Sequence, residues 1–322
     1  MSDLSANLPE PLTASYVAAD EYGGPDVLQL REEQLPPPGS GQVRVSVRAA
    51  GVNPVDLKIR QGSRGDGATP FRLGHEVAGV VDAVGPDVTA VAVGDEVIAF
   101  RITGGYASAI TVPATAVVPK PASLSWGEAA GLLLAGATAV HALDVTGVDA
   151  GDVVLLHGAA GAVGQAVIQL AALRGARVIG TASPHNHELL RSLGALPIEY
   201  GDGLAERVRD AAAETGPVTA AIDAAGTDEA LEVSLDLVER DRIATVVVTP
   251  KNLASGIKAL GGAPGADPGT ALRDAARAPL AQLAGQGKVK VRVVKEFALG
   301  DAADAHRFVG EGHAAGKVVL VP

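Results

Sequence analysis

The hydrophobic pattern of residues 152–183 predicts a strand, a glycine-rich turn, a helix and a second strand. Residues 153–156 are an unbroken apolar run, residues 165–174 favour a helix, and residues 177–181 form a second apolar-rich strand. Strands that are buried on both faces lack the alternation of polar and apolar positions that half-exposed strands show. Such strands, alternating with helices, are typical of a parallel sheet covered by helices on both sides.

The same alternation continues toward the C-terminus. Helices and strands are predicted in turn over residues 188–193, 204–214, 220–223, 228–238 and 242–249. We therefore expect an α/β fold with an open, doubly wound parallel sheet. Residues 242–249 are predicted to be an exposed edge strand, which needs covering and so favours a homodimer. Residues 252–270 are rich in Gly and Pro and are predicted to be mostly loop.

Residues 16–121 show a different pattern, in which short strands are separated by turn residues. Val43 and Val45 alternate with Arg44 and Ser46, and later strands are rich in β-branched residues. This pattern predicts a mostly antiparallel barrel or sandwich. A capping-box sequence, Ser-x-x-Glu, begins at residue 125 and indicates where a helical region and a second domain start.

The turn within residues 152–183 has the small residues that a phosphate site requires. Gly161 and Gly164 fill two positions of the G-x-G-x-x-G pattern, and Ala159 stands at the position of its first glycine. The free N–H groups and positive dipole end of the following helix favour an anion, and small residues let the backbone approach a pyrophosphate. Dinucleotide binding is the favoured interpretation, and a tight turn without a ligand is the alternative.

Composition narrows the classes of partner. The chain of 322 residues has a net charge of -11 at pH 7, which disfavours nucleic acid and anionic membranes as partners. It has no cysteine, so disulfides, thiolate-held metals and cysteine nucleophiles are excluded. The longest apolar segment, residues 129–143, is too short to span a bilayer. Residues 1–13 lack the apolar core of a secretory signal, and we expect a flexible extension on a soluble, cytoplasmic protein.

The end of the second strand indicates which nicotinamide cofactor the chain prefers. Enzymes that use NAD usually carry Asp or Glu there to bind the ribose 2′-hydroxyl, and a carboxylate would repel a 2′-phosphate. Here Thr181 and Ala182 lead into Ser183, and His187 and Tyr200 offer further donors. NADPH is therefore favoured over NADH; the alternative is that these residues are ordinary polar groups of a loop and a helix surface.

Four polar residues of the first part of the chain suggest chemistry: Asn53, Asp56, His75 and Glu76. Zinc needs three or four protein ligands, and residues 16–121 contain no cysteine and no histidine besides His75, so no metal site is predicted. His75 is interpreted as structural or as lining a cleft. Asn53 and Asp56 either cap a short predicted helix or line such a cleft.

Short motifs occur along most of the chain, from Tyr16 to Pro322. They include Tyr22-Gly23-Gly24-Pro25, Gly51-Val52-Asn53-Pro54-Val55-Asp56, Gly74-His75-Glu76, Val93-Gly94-Asp95-Glu96-Val97, Ala135-Gly136-Ala137-Thr138-Ala139, His157-Gly158-Ala159-Ala160-Gly161 and Gly316-Lys317-Val318-Val319-Leu320. Together they resemble the medium-chain dehydrogenase/reductase superfamily, and within it the zinc-free quinone oxidoreductase, or zeta-crystallin, branch.

The resemblance implies a division of the chain and an activity. A GroES-like substrate domain would comprise residues 14–128, completed by residues 271–322, and a Rossmann domain that binds NADPH would comprise residues 129–270. The implied activity is hydride transfer from NADPH to a quinone or another α,β-unsaturated carbonyl, in the cleft between the domains and without zinc. An enoyl-thioester or other enone reductase, or a non-catalytic NADPH-binding protein, are the alternatives.

Matched motif by motif, the resemblance also assigns residues to the site. Asn53 and Asp56 would lie at the active-site wall, and Thr138 near the nicotinamide. The cofactor-binding residues would be Ala160, Gly161, Ala162, Val163, Gly164, Ser183, His187, Tyr200 and Val246. Residues 61–65 lack a tyrosine that many relatives carry, which weakens the enoyl-thioester alternative and leaves water as the expected proton source.

Overall fold

The structure, a computed structural model, describes residues 10–64, 67–312 and 314–322. Most of the flexible extension predicted over residues 1–13 lies outside the described residues. Leu12 and Thr13, the last two residues of that prediction, belong instead to the first strand, where they pair with Leu35 and Gln34. Antiparallel pairing therefore holds these two residues in a sheet.

The strands and helices alternate along much of the chain. The strands are β1 (Leu12–Ala19), β2 (Gln29–Leu35), β3 (Gln42–Val52), β4 (Phe71–Arg72), β5 (Glu76–Val84), β6 (Glu96–Phe100), β7 (Ala109–Pro113), β8 (Val117–Pro119), β9 (Val153–His157), β10 (Arg177–Thr181), β11 (Leu196–Ile198), β12 (Ala220–Asp223), β13 (Ile243–Thr245), β14 (Lys258–Ala259), β15 (Val293–Ala298) and β16 (Lys317–Val321). The helices are α1 (Pro54–Arg60), α2 (Trp126–Ala130), α3 (Leu133–Val145), α4 (Ala162–Leu173), α5 (His187–Ser192), α6 (Leu204–Thr215), α7 (Asp228–Leu237), α8 (Pro250–Ser255), α9 (Thr270–Ala275), α10 (Arg277–Gly285) and α11 (Ala302–Gly310). Within the described residues, no helix is long and apolar enough to cross a membrane.

The chain divides into two compact units. The first unit comprises Met1–Leu134 and Val291–Pro322, and the second unit comprises Ala135–Lys290. The sequence placed the second boundary at residue 270, whereas α9 and α10 belong to the second unit in the structure. Leu280 of α10 is buried close to Gly136 of α3, and this packing keeps α10 with the second unit.

The first unit is built mainly from antiparallel strands. Its larger sheet has the order β15-β16-β3-β5-β6-β8, and β7 also pairs with β3. A smaller sheet has the order β2-β1-β4. The pairings are antiparallel apart from β15 with β16. The prediction of a mostly antiparallel β domain is confirmed.

The C-terminal strand β16 returns to this larger sheet, where it lies between β15 and β3. Val318 pairs with Val52 of β3, and Leu320 pairs with Ala50. Val318 and Leu320 are buried in the same hydrophobic core as Val45, from the beginning of the chain. Because full burial of one such side chain is worth roughly 1.5–3 kcal/mol, residues from both ends of the chain stabilise this unit.

The second unit contains a parallel sheet of the order β11-β10-β9-β12-β13-β14. Each neighbouring pair is parallel. Numbered along the unit, the strands lie in the order 3-2-1-4-5-6, which is the doubly wound order of Rossmann folds. The predicted α/β fold is confirmed, and β9, the first strand of this unit, lies at the centre of its sheet. Ligands of such sheets bind at the carboxyl ends of the strands, where the strand order reverses.

The exposed edge predicted at residues 242–249 is wrong. Only Ile243–Thr245 forms a strand there, and Ala244 and Thr245 pair with Lys258 and Ala259 of β14. The covering strand lies within residues 252–270, which were predicted to be mostly loop. The homodimer stays a prediction, without this argument in its favour.

Candidate active site

The glycine-rich turn lies at the carboxyl end of β9, where the doubly wound order places a ligand. β9 ends at His157, Gly161 caps the next helix in an extended conformation, and α4 begins at Ala162. Ala162, Val163 and Gly164 are the first residues of α4, so their N–H groups have no acceptor within the helix. An anion at this end of the sheet would meet these N–H groups and the positive end of the helix dipole.

The glycines of this turn have different roles. A Cβ atom on Gly164 would lie 2.6 Å from the carbonyl oxygens of Gly158 and Ala159, so the fold itself requires glycine there. A Cβ atom on Gly161 would meet only the Gly158 oxygen, at 3.5 Å, which is an ordinary contact. The φ angle of Gly161, -69°, is also open to any residue. Protein packing therefore does not require glycine at position 161, whereas a ligand lying against the turn would.

The neighbouring residue Ala160 contributes its backbone. The Gln165 side chain donates from Nε2 to the Ala160 carbonyl oxygen at 2.6 Å. This hydrogen bond occupies the Ala160 carbonyl oxygen, whose partial negative charge would otherwise repel an anion in the turn. Gln165 is 4% exposed, so the turn is held from inside the second unit.

Polar groups gather just beyond the end of β10. Asn186 donates from Nδ2 to the Ser183 Oγ at 3.3 Å, and the His185 Nε2 lies 3.3 Å from the same oxygen. His187 does not join this group, because its Nε2 lies 3.2 Å from the Ala182 carbonyl oxygen and donates to it. Tyr200, which follows the neighbouring strand β11, is 56% exposed.

His185 was not among the predicted site residues. Its position two residues after Ser183, at the end of the second strand, was the available signal. The cluster that the structure forms is Ser183, His185 and Asn186, and the absence of a carboxylate from these three residues is compatible with a phosphate group.

A buried carboxylate, Asp223, lies at the end of β12 and was missed by sequence reasoning. It accepts hydrogen bonds from the N–H groups of Ala225 and Gly226 and from the Thr245 hydroxyl. The N–H group of Val246, a predicted cofactor contact, donates to the Asp223 carbonyl oxygen at 2.9 Å. Asp223 therefore fixes the backbone that carries Val246.

Other polar residues of the second unit are also buried, among them His157 and Thr138. Burial lowers the pKa of His157 to about 4 even though Asp223 lies near and opposes the shift, so the imidazole is neutral at pH 7. The His157 Nε2 lies 3.2 Å from the Ser234 hydroxyl. Thr138, predicted to lie near a nicotinamide, is 6% exposed within α3.

In the first unit, Asn53 and Asp56 lie at the start of α1. The Asp56 Oδ2 accepts from the Asn53 N–H at 2.8 Å, and Oδ1 accepts from the Gly74 N–H at 3.2 Å. The carboxylate of the third helical residue thus reaches back to the N-cap residue, as in a capping box. Asn53 and Asp56 are 3% and 0% exposed, so the structure places both predicted wall residues in the interior of this unit.

The Asn53 side chain turns toward a buried ion pair. The Lys317 ammonium donates to the Asn53 Oδ1 at 2.6 Å and to the Glu76 Oε1 at 2.7 Å. Asn53 Nδ2 donates to the same Glu76 oxygen at 3.1 Å, and Glu76 Oε2 accepts from the Leu134 N–H at 2.8 Å. Sequence reasoning missed this group, because Glu76 and Lys317 are 241 residues apart in the chain.

Known proteins share this arrangement of domains. The Alcohol dehydrogenase GroES-like domain family matches residues 39–122, and the Zinc-binding dehydrogenase family matches residues 193–320. A quinone oxidoreductase of Pseudomonas aeruginosa is 33% identical over 321 residues, which cover 94% of this chain and 97% of that relative. The chain belongs to the quinone oxidoreductase family. The resemblance to this branch of the medium-chain dehydrogenase/reductases is thereby confirmed.

Other quinone oxidoreductases are similar over shorter stretches or in structure. The mouse quinone oxidoreductase is 39% identical over 180 residues, and the match covers 54% of this chain and 54% of the mouse protein. The chain thus spans about half the length of this relative. An Escherichia coli quinone oxidoreductase, solved in complex with NADPH, superposes with a TM-score of 0.83 at 28% identity, covering 96% of this chain and 100% of that one.

The name of one matched family, Zinc-binding dehydrogenase, raises the question of whether residues of this chain could hold zinc. Among residues 10–64, 67–312 and 314–322, no group of three or more His, Cys, Asp and Glu side chains is placed to hold a metal ion. The His75 Nδ1 is hydrogen-bonded to Asp56 at 2.7 Å, and Glu76 is paired with the Lys317 ammonium. A metal ion bound by Glu76 would have to displace this ammonium, so these residues do not fit zinc.

Replacement of Lys317 by Met is expected to destabilise the protein by about 3–5 kcal/mol, because it leaves the Glu76 carboxylate buried without a counter-ion. Chemical denaturation measures this loss. The double variant Glu76→Gln/Lys317→Met should recover part of it, since no uncompensated charge remains. As a control, Lys251→Met removes a lysine whose ion pairs with Asp228 and Glu232 are exposed, and it should cost less than about 1 kcal/mol. If Lys317→Met and Lys251→Met lost the same free energy of unfolding, the buried ion pair would contribute no more to stability than the exposed ion pairs.

Proposed function

We propose that this quinone oxidoreductase transfers a hydride from NADPH to a quinone or another α,β-unsaturated carbonyl, without zinc. The observation that carries the proposal is the turn at Gly161, which opens the N-terminus of α4 at the centre of a 3-2-1-4-5-6 sheet. The structure of the E. coli relative, which was solved in complex with NADPH, supports the choice of cofactor.

The turn would hold the pyrophosphate of NADPH. Ala162 and Val163 are half-buried and offer backbone N–H groups at the end of the helix that attracts negative charge. Gly161 leaves room that packing does not fill, and Ala160 has its carbonyl oxygen engaged by Gln165. These features favour a bound anion over a turn without a ligand.

The variant Gly161→Val tests this assignment without disturbing the fold. Its branched side chain would occupy the space proposed for the pyrophosphate, so NADPH binding should weaken by at least about tenfold, or 1.4 kcal/mol. Calorimetry or fluorescence titration measures the affinity, and thermal unfolding in the absence of cofactor should show little change. Gly164→Ala is the contrasting control, because its Cβ would lie 2.6 Å from backbone oxygens and should destabilise the fold itself. Unchanged NADPH affinity in a well-folded Gly161→Val would count against the turn as the phosphate site.

The group beyond β10 would bind the 2′-phosphate that distinguishes NADPH from NADH. Ser183 and Asn186 present a hydroxyl and an amide, and His185 adds an imidazole beside them. Tyr200 is exposed beyond the neighbouring strand and is proposed as a further donor. A carboxylate is absent from this set, whereas an enzyme that selects NADH would use one to bind the ribose hydroxyls.

Introduction of a carboxylate at this point should invert the preference. Ser183→Asp is expected to weaken NADPH binding by roughly 10- to 100-fold and to leave NADH binding unchanged or stronger, because the new charge repels the 2′-phosphate alone. Titration with both cofactors measures the ratio of the two affinities. Ser192→Asp adds the same charge at an exposed position of α5, and it should alter neither affinity by more than about twofold. If Ser183→Asp weakened both cofactors equally, the 2′-phosphate would have to bind elsewhere.

The chain would act on the reaction mainly by positioning. Bound NADPH supplies the hydride, and Thr138 and Val246 are proposed to lie against its nicotinamide. Asn53 and Asp56 would contribute by holding β3, β5 and α1 together. A quinone becomes an aromatic hydroquinone when it accepts two electrons, so its carbonyl needs no metal ion for polarisation.

A panel of acceptors tests the activity. Oxidation of NADPH, followed by its absorbance, should be fastest with a quinone, slower with a simple enone and slowest with an enoyl-CoA. Prior dialysis against a chelator should leave the quinone rate within about twofold, because Lys317 rather than a metal ion neutralises Glu76. A dominant enoyl-CoA rate would favour the enoyl-thioester reductase, and tight NADPH binding without turnover would favour a non-catalytic protein. A strong loss on chelation, restored by zinc, would contradict the zinc-independent mechanism.

A further inference from the structure

Four ionisable side chains of the first unit interact in sequence, and one of them, His75, is partly exposed. The His75 Nδ1 lies 2.7 Å from the Asp56 Oδ1. Asp56 also interacts electrostatically with Tyr106, whose hydroxyl oxygen lies 3.1 Å from the His306 Nε2. Asp56, Tyr106 and His306 are 0%, 0% and 1% exposed, whereas the His75 side chain is 24% exposed.

The hydrogen bond to Asp56 determines which ring nitrogen of His75 carries the donated proton. The Asp56 carboxylate only accepts hydrogen bonds, so the His75 Nδ1 donates to it. The Tyr106 hydroxyl and the His306 Nε2 form a second hydrogen bond, and the His306 Nδ1 has no partner among the described residues. Because the His75 Nδ1 is hydrogen-bonded to Asp56, Nε2 is the ring nitrogen that can exchange a proton with other groups.

The surrounding charges favour a protonated His75. Burial lowers the pKa of His75, but the charge and hydrogen bond of Asp56, together with the charge of Glu76, raise it, and the pKa lies above its ordinary value. The His75 charge in turn helps to hold the pKa of Asp56 below its ordinary value despite burial, which acts in the opposite direction. Burial and the nearby Asp56 raise the pKa of Tyr106, and burial lowers that of His306 to about 4, so Tyr106 and His306 are neutral near pH 7.

The pKa shifts of His75 and Asp56 determine how their ion pair affects the stability of the fold at each pH. Because the folded-state pKa of His75 is raised, its contribution is complete below its unfolded pKa and is lost as pH rises through the folded value. The contribution of Asp56, whose folded-state pKa is lowered, is lost as pH falls through that folded value. The ion pair therefore exists between these two limits, and His75 loses its proton at the upper one.

The proposed reaction creates a need for such a group. An acceptor that has taken a hydride carries a negative charge on oxygen, and it becomes neutral only after it receives a proton. Proton transfer from a positioned side chain typically contributes about 100- to 10,000-fold to a rate. His75 is hydrogen-bonded at Nδ1 to a buried carboxylate and its side chain is 24% exposed, so it has the arrangement of a general acid.

We propose that His75 is a catalytic residue of this quinone oxidoreductase and donates a proton from Nε2 to the oxygen of the reduced acceptor, with Asp56 as its positioning residue. This inference rests on the proposed function and replaces water as the expected proton source.

The step balances in atoms and charge. The acceptor gains a hydride, with its electron pair, from the bound NADPH and becomes an anion. The N–H bond at the His75 Nε2 breaks, a new O–H bond forms on the acceptor, and the imidazole is left neutral. Solvent water then returns a proton to the Nε2, which is accessible because the side chain is partly exposed.

The variant His75→Asn tests the acid, because an asparagine amide can still donate to Asp56 but cannot supply a proton. In the wild-type protein, kcat with a quinone should fall as pH rises through the raised pKa of His75. His75→Asn should lower kcat at neutral pH by about 100-fold and abolish this alkaline decline, with the affinity for NADPH unchanged. His75→Gln, whose longer side chain places its amide toward the Nε2 position, should be no more active. A wild-type kcat and pH profile in His75→Asn would overturn the proposal.

A second measurement needs neither cofactor nor turnover. The NMR signal of the His75 ring, assigned by its loss in His75→Asn, should titrate above the ordinary histidine value near 6.5. In Asp56→Asn it should titrate at a lower pH, because the carboxylate that stabilises the imidazolium is gone; denaturation curves show whether that variant is folded. A titration of His75 at or below the ordinary value would contradict its role as the acid.

The outcomes separate this inference from the proposed function. A wild-type protein that binds NADPH but reduces no acceptor of the panel would overturn both proposals. A wild-type protein that reduces a quinone, together with an equally active His75→Asn, would overturn only the role of His75.

Discussion

The first unit depends on one buried carboxylate, that of Glu76. Its two oxygens accept from the Lys317 ammonium, the Asn53 amide and the Leu134 N–H group. These partners come from the C-terminal strand, the end of β3 and the start of α3, so a single charge joins segments from both ends of the chain. Removal of one partner would leave a buried charge without compensation, which destabilises the fold. The members of this group therefore stabilise the first unit only when all of them are present.

This constraint also explains why the residues around Glu76 do not fit a zinc ion. A buried carboxylate needs a cation, and either a metal ion or an ammonium group can supply it. Here Lys317 lies at hydrogen-bonding distance of Glu76, and Asn53, which carries no charge, completes the ammonium's surroundings. The Lys317 ammonium thus takes the place of a cation beside Glu76. His75 is paired with Asp56 rather than with Glu76.

Much of the second unit could be predicted because its signals are local. An apolar strand, a turn of small residues and a helix within residues 152–183 suffice to predict the sheet, and three uncharged residues after it suffice to suggest the cofactor. The edge at residues 242–249 was wrong because strand pairing is not local. Whether β13 is covered depends on Lys258 and Ala259, in a segment whose Gly and Pro content indicated a loop.

Only part of the polar site of the first unit could be predicted, because its contacts join residues that are distant in the chain. Asn53 and Asp56 share a motif, and the sequence left open whether they cap a helix or face a cleft. The structure makes Asp56 a cap whose second oxygen anchors His75, which gives the two residues different tasks. Burial separates these tasks. The fully buried Asp56 carboxylate can fix the orientation and charge of its partner, whereas only the partly exposed His75 imidazole can exchange a proton with groups outside the unit.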